Sequence, residues 1–194
     1  MPRTADISRK TAETLVAVSL DIDGTGMAEV NTSLGFLDHM LITLAKHSGF
    51  DLRLEAAADT EVDDHHLVED CVIVLGRALD TALDDRSGIT RFGFAYVPLD
   101  ESLCRAVIDL SGRPWPEISI GFAREKVGEV ATENIVHFFR SMAVEGRMAL
   151  QVDLIRGDND HHKAESAFKA VARALRVAVA LSGDRVPSTK ETLQ

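Results

Sequence analysis

Two stretches of this 194-residue chain could do chemistry by residue type alone. Residues 63–70 read DDHHLVED and residues 159–166 read NDHHKAES. Of the seven histidines, four fall in two adjacent pairs, His65-His66 and His161-His162, and Glu69 or Glu165 follows each pair three residues on. Imidazole with carboxylate suits a divalent Mn, Fe, Co, Ni or Zn ion, and the residue types do not choose among them. On a helix, residues three or four apart share a face, so His65 or His66 can converge with Glu69. Adjacent His65 and His66 diverge by about 100° around the axis, so the two members of a pair seldom chelate one ion. The pattern predicts two ions, with each His of a pair serving a different one. Neither unit is H-E-x-x-H or H-x-x-E-H, so no zincin-type protease signature is present.

The repetition extends beyond the histidines. ETLVAVSLDIDG (13–24) matches ESLCRAVIDLSG (101–112), with Glu13/Glu101, Leu15/Leu103, Asp21/Asp109 and Gly24/Gly112 identical at one offset. His39 in FLDHML then matches His137 in NIVHFF, and DDHHLVE matches NDHHKAE, all in the same order. The chain is therefore expected to be one domain made of two tandem repeats, about 1–90 and 91–185, with a tail over 186–194.

Each repeat must supply elements that aim these side chains. Alternating apolar residues at Val16, Val18, Leu20 and Ile22, and at Cys104, Ala106, Ile108 and Leu110, predict half-buried strands. Leu34, Leu37, Leu41 and Leu44 predict an amphipathic helix over 34–47, matched by Ile135, Phe138, Met142 and Ala143. A strand at 52–54 or 150–152 follows, then a long helix opening at the His pair with Asp64 or Asp160 as N-cap. The expected class is α+β: a β-β-α-β-α unit used twice, mostly antiparallel sheets with helices on one face, and a two-fold-like arrangement of the halves.

Composition narrows the partners. With 45% hydrophobic and 27% charged residues the chain reads as globular, and a net charge of −10 disfavours nucleic acid or an anionic membrane. A local Arg/Lys cluster could still bind a phosphorylated metabolite. Cys71 and Cys104 lie in apolar segments, as buried thiols of a reducing compartment do. No apolar run reaches membrane-spanning length and MPRTADISRK lacks the apolar centre of a signal peptide, so a cytoplasmic location is expected.

Single histidines on apolar helices are usually core residues, but the matched positions of His39 and His137 favour a ligand role. Eight candidate ligands result: His39, His65, His66, Glu69, His137, His161, His162 and Glu165. Shared between two ions, they leave open coordination positions, which favours catalysis over scaffolding. His47 closes its helix before Gly49, where a cation also suits the negative end of the helix dipole.

GFLDHML, DDHHLVED, HFFRSMA, GDNDHHKAESAFKA and the ending VPSTK together resemble the imidazoleglycerol-phosphate dehydratases of histidine biosynthesis, and the likeness runs from RKTAET to the tail. The length leaves no room for the fused phosphatase domain of some relatives. The resemblance implies a site with two Mn²⁺ ions held by the eight ligands, and a cage of twenty-four chains with sites between subunits. It implies Glu13 as the acid/base, Arg91 and Arg113 on the substrate phosphate, and Ser188 and Lys190 completing that clamp. His39, His47, His65, His66 and Glu69 join Glu13 among the substrate-binding candidates. Two positions depart from the pattern: Leu67 stands where Thr is expected, and Glu191 where Gly is expected after the tail lysine.

The implied reaction converts D-erythro-imidazoleglycerol phosphate to imidazoleacetol phosphate. The carbon that loses a proton has no adjacent carbonyl, so a base alone would fail. A metal-bound imidazolate could expel the neighbouring hydroxyl, after which a carboxylate can take the side-chain proton. Sequence symmetry makes Glu101 a rival to Glu13, and the resemblance favours Glu13. Two other readings compete: a di-metal phosphate-ester hydrolase, disfavoured by the scarcity of Asp among the ligands, and a non-catalytic metal-organised assembly, which would need no open positions.

Overall fold

The computed structural model describes residues 2–58 and 63–193, and it repeats one strand order twice. The first unit comprises β1 (Thr4–Lys10), β2 (Thr14–Asp21), β3 (Ala28–Asn31), α1 (Gly35–Ser48), β4 (Asp51–Ala58) and α2 (His65–Leu83). The second comprises β5 (Phe92–Leu99), β6 (Ser102–Asp109), β7 (Trp115–Ser119), a small hairpin of β8 (Lys126–Val127) and β9 (Val130–Ala131), then α3 (Thr132–Glu145), β10 (Ala149–Arg156) and α4 (Asp160–Ala178). The main sheets run β1-β2-β4-β3 and β5-β6-β10-β7. In each, the β3–β4 or β7–β10 pairing is parallel and the others are antiparallel.

The α+β class and the doubled unit match the sequence reading, with one main-sheet strand more per unit than expected and the β8–β9 hairpin besides. Neither β3 nor β7 shows the alternation of fully buried apolar residues that marks β2. Both lie at sheet edges, and β7 (WPEIS) contains Pro116, which an edge strand tolerates.

Helices α1 and α2 pack on the first sheet and α3 and α4 on the second, while α1 meets α4 and α2 meets α3. One continuous core runs through both units. At its centre the Phe138, Phe139 and Phe168 rings pack with centroids 4.6 to 5.6 Å apart. Strand β5 is laid directly on α4: a Cβ at Gly93 would stand 2.0 Å from the Ala174 carbonyl oxygen. The outer face of the first sheet is polar, with Asp6, Ser19, Glu29 and Arg53 exposed. The second exposes Phe92, Phe94, Tyr96 and Trp115.

Helix entries differ from expectation. Asp64 occupies the N-cap position of α2, yet its carboxylate accepts from the Ala131 N–H and the Asn134 side chain, while Asp63 accepts from the His65 N–H. At α4 the cap is Asn159, whose side chain accepts from the His161 N–H. Asp160 lies inside that helix, buried, and accepts from the Ala123 and Arg124 N–H groups and Lys163 Nζ. A buried carboxylate needs several donors, and each finds its backbone N–H donors on a neighbouring segment rather than on its own helix end. Cys71 and Cys104 are buried free thiols, and burial pushes Cys71 up to about 12. Among the described residues no helix is long and apolar enough to cross a membrane.

Candidate active site

The packing of α1 on α4 and of α2 on α3 brings six of the eight candidate ligands into two like clusters. His39 of α1 reaches across to His161 and Glu165 of α4, and His137 of α3 reaches across to His65 and Glu69 of α2. Within each cluster the potential ligand atoms all lie within 4.8 Å of one another. Glu165 Oε2 lies 3.5 Å from His39 Nε2 and 3.2 Å from His161 Nε2. Glu69 Oε1 lies 3.1 Å from His137 Nε2, and the His65 and His137 rings stack at 5.0 Å. Each helix uses its i,i+4 pair, His65 with Glu69 or His161 with Glu165, so of the two spacings open in the sequence the first His is selected. The lone His always comes from the other repeat.

Two imidazoles and a carboxylate, partly exposed and turned toward a common point, fit the donor set of a borderline divalent ion with positions to spare. Burial works to raise the Glu165 carboxyl, but Lys169, with Nζ 2.8 Å from Oε1, and His39 hold it below its ordinary value and so ionised. Lys169 escaped the sequence reading, although its i,i+4 spacing from Glu165 is a readable ion-pair signal.

The second histidine of each pair turns away, as divergence around the helix requires. His66 Nδ1 is 2.8 Å from Glu13 Oε2 and His162 Nδ1 is 2.7 Å from Glu101 Oε2, both glutamates standing in the turn between the first two strands of their unit. The turns are otherwise unlike. Glu101 also accepts from the Asn159 N–H at 2.8 Å and the Asp158 N–H at 3.2 Å. The Asn159 bond first, then His162, brings its carboxyl down to about 2, and Glu101 in return raises His162. Glu13 is exposed, and among the described residues His66 is the one partner its carboxylate meets. Its turn is held from beneath: buried Asp70 of α2 accepts from Thr14 Oγ1 and Arg9.

Arg91, Arg113, Ser188 and Lys190 line one cleft. Arg91 bonds Asp109 through Nε at 2.7 Å and a terminal nitrogen at 3.1 Å, and its other terminal nitrogen bonds the Pro187 carbonyl at 2.9 Å. Arg113 is exposed. The tail closes over this cleft, with Leu193 buried and its carbonyl so near Gly112 that a Cβ there would stand 2.1 Å away. Glu191, where glycine was expected, holds a left-handed φ of 56°. None of the six clustered candidate ligands lines the cleft, and neither do Glu13, His66 or His162. His47 joins no cluster; it is half-buried on α1, with its basicity lowered by burial and by Lys169 and Arg173 of α4. Leu67 is buried in the core and offers no polar group to the ligands beside it. Asp70 and Asn134 are site residues that no spacing rule points to, since each acts on another element.

The family model for imidazoleglycerol-phosphate dehydratase matches residues 32–175. An imidazoleglycerol-phosphate dehydratase from Phytophthora nicotianae is 55% identical over 98% of this chain, which spans 42% of that relative's length. Another, from Salinibacter ruber, is 52% identical over 99% of this chain and 96% of its own. The crystal structure of imidazoleglycerol-phosphate dehydratase from Staphylococcus aureus superposes with a TM-score of 0.84 at 38% identity, covering 92% of this chain and 99% of that one. Full-length likeness in sequence and in fold agrees with the paired histidines and the doubled unit: the chain belongs to the imidazoleglycerol-phosphate dehydratase family of hydro-lyases.

Proposed function

We propose that this chain dehydrates D-erythro-imidazoleglycerol phosphate to imidazoleacetol phosphate in histidine biosynthesis, in the cytoplasm, with two Mn²⁺ ions in each active site. The observation that carries the reading is the pair of clusters, each two imidazoles and a carboxylate drawn from both repeats. His39, His161 and Glu165 would hold one ion and His65, Glu69 and His137 the other, with His66 and His162 as the remaining ligands. Bound there, the metal would supply Lewis acidity toward the imidazole ring of the substrate, easing loss of its ring proton.

The chain's own groups do the rest. Glu13 serves as the acid/base that moves the side-chain proton, for which an exposed carboxylate unencumbered by backbone donors is suited. Arg113, Ser188 and Lys190 bind the phosphate, fixing the substrate far from the bond that breaks. Arg91 has three of its five N–H groups engaged, so it frames the cleft and keeps two to offer. The phosphate cleft shares no lining residue with the clusters or with Glu13, which supports a site completed by neighbouring subunits of a twenty-four-chain cage. The exposed aromatic face of the second sheet supports self-association as well.

The test is mass spectrometry of imidazoleglycerol phosphate incubated with metal-stripped protein, with and without Mn²⁺. Manganese-dependent loss of water with phosphate retained is the expected result. Loss of phosphate would assign the site to a hydrolase, and an unchanged substrate with metal bound would overturn the proposal.

A further inference from the structure

The polarity of one buried hydrogen-bond chain determines which nitrogen of His65 is free. Asp64 is buried, and its Oδ2 accepts the Ala131 N–H at 2.8 Å. That oxygen is an acceptor, so the Asn134 atom 3.0 Å from it is the amide nitrogen. With the amide so oriented, Oδ1 of Asn134, itself buried, faces His65 Nδ1 at 2.8 Å. A carbonyl oxygen also only accepts, so Nδ1 carries the hydrogen. A neutral imidazole has one N–H, which leaves the lone pair on Nε2.

We propose that Asn134 is a positioning residue that fixes His65 in the Nδ1–H tautomer and so makes Nε2 its metal-binding nitrogen. The inference rests on the metal-binding reading above. It applies to one cluster of the two: among the described residues the repeat counterpart, His161, meets no such carbonyl, and its ring packs T-shaped with Phe36 at 5.2 Å instead. Outer partners that donate to or accept from a ligating imidazole typically change metal affinity by about 10- to 100-fold when removed.

Magic-angle-spinning NMR of the full-length, metal-free protein with ¹⁵N-labelled histidine, at pH 8, reads the tautomer directly, with His65 assigned by its absence in His65→Gln. Wild type should show His65 protonated at Nδ1. Asn134→Leu should move it toward Nε2–H and weaken one of two Mn²⁺ sites about 10- to 100-fold by calorimetry. Asn134→Asp, whose carboxyl can share a proton with Asp64, keeps an acceptor before His65 and should retain the Nδ1–H tautomer. An Nε2–H tautomer in wild type, or an unchanged His65 in folded Asn134→Leu, would overturn the proposal. Should wild type bind no Mn²⁺ while the tautomer shifts as stated, the metal reading fails and the positioning of His65 stands.

Discussion

The turn at Glu13 and the turn at Glu101 hold matched positions in the two units, face matching histidines, His66 and His162, and do different things. After β10 the chain passes through Gly157, and the Asp158 and Asn159 N–H groups converge on Glu101 before α4 begins. A carboxylate saturated with donors is a strong tether and a weak base, as its descent to about 2 records. Glu13 instead stays exposed while Thr14, Asp70 and Arg9 anchor the backbone on either side of it. Where the clusters keep their pseudo-symmetry, the turns have divided labour. One of them locks the entry of a helix; the other leaves its carboxylate exposed, as the proposed proton transfer requires.

If the clusters are equivalent and only the turns differ, His39→Gln and His137→Gln should do similar damage. Each removes the imidazole that one repeat lends the other. Each is expected to lose an ion and about a thousandfold in turnover, several kcal/mol of transition-state stabilisation. Metal analysis beside turnover checks this, and a silent His39→Gln would break the equivalence.

Asp70→Asn tests the anchoring of the Glu13 turn. It removes the buried charge on which Arg9 and Thr14 both depend, and should cost about 2 kcal/mol in urea unfolding. Turnover should fall while metal content holds.

Glu101→Gln should keep most of its turnover and lose thermal stability, in a pH-dependent way. The depressed Glu101 contributes stability above its ordinary value of 4.5, lost as pH falls toward about 2. The raised His162 contributes below its ordinary value of 6.5, lost as pH climbs through its higher folded value. In metal-free protein the gap in Tm between wild type and Glu101→Gln should therefore be widest between pH 4.5 and 6.5. A gap that widened toward pH 8 would contradict the pairing.

The smallest effect belongs to the tail. Glu191→Gly relieves a left-handed residue at a cost of about 1–2 kcal/mol, partly offset by the greater freedom of unfolded glycine. A net gain of about 0.5 kcal/mol is expected, read as slower hydrogen exchange in the tail amides.

Legibility in the sequence followed a physical division. The paired histidines, their glutamates and the doubled strand–helix plan were readable because residue type and spacing along one element determine them. Strands β3 and β7 were not, since edge strands need no alternating burial. Asp160 was misread as a cap because its partners, Ala123 and Arg124, lie on a loop that no local rule connects to α4. Asn134 and Asp70 act across elements, and the choice between Glu13 and Glu101 depends on donors from a distant strand end. Spacing finds ligands; only packing shows what orients them.

The central claim is that one turn of the duplicated pair carries the proton transfer. It is tested most directly by measuring dehydrated product from Glu13→Gln and Glu101→Gln side by side, each with its Mn²⁺ content determined. A loss of about 10²- to 10⁴-fold is expected for Glu13→Gln at full metal occupancy, with Glu101→Gln still turning over. An active Glu13→Gln, or an inactive Glu101→Gln with its metal intact, would contradict it.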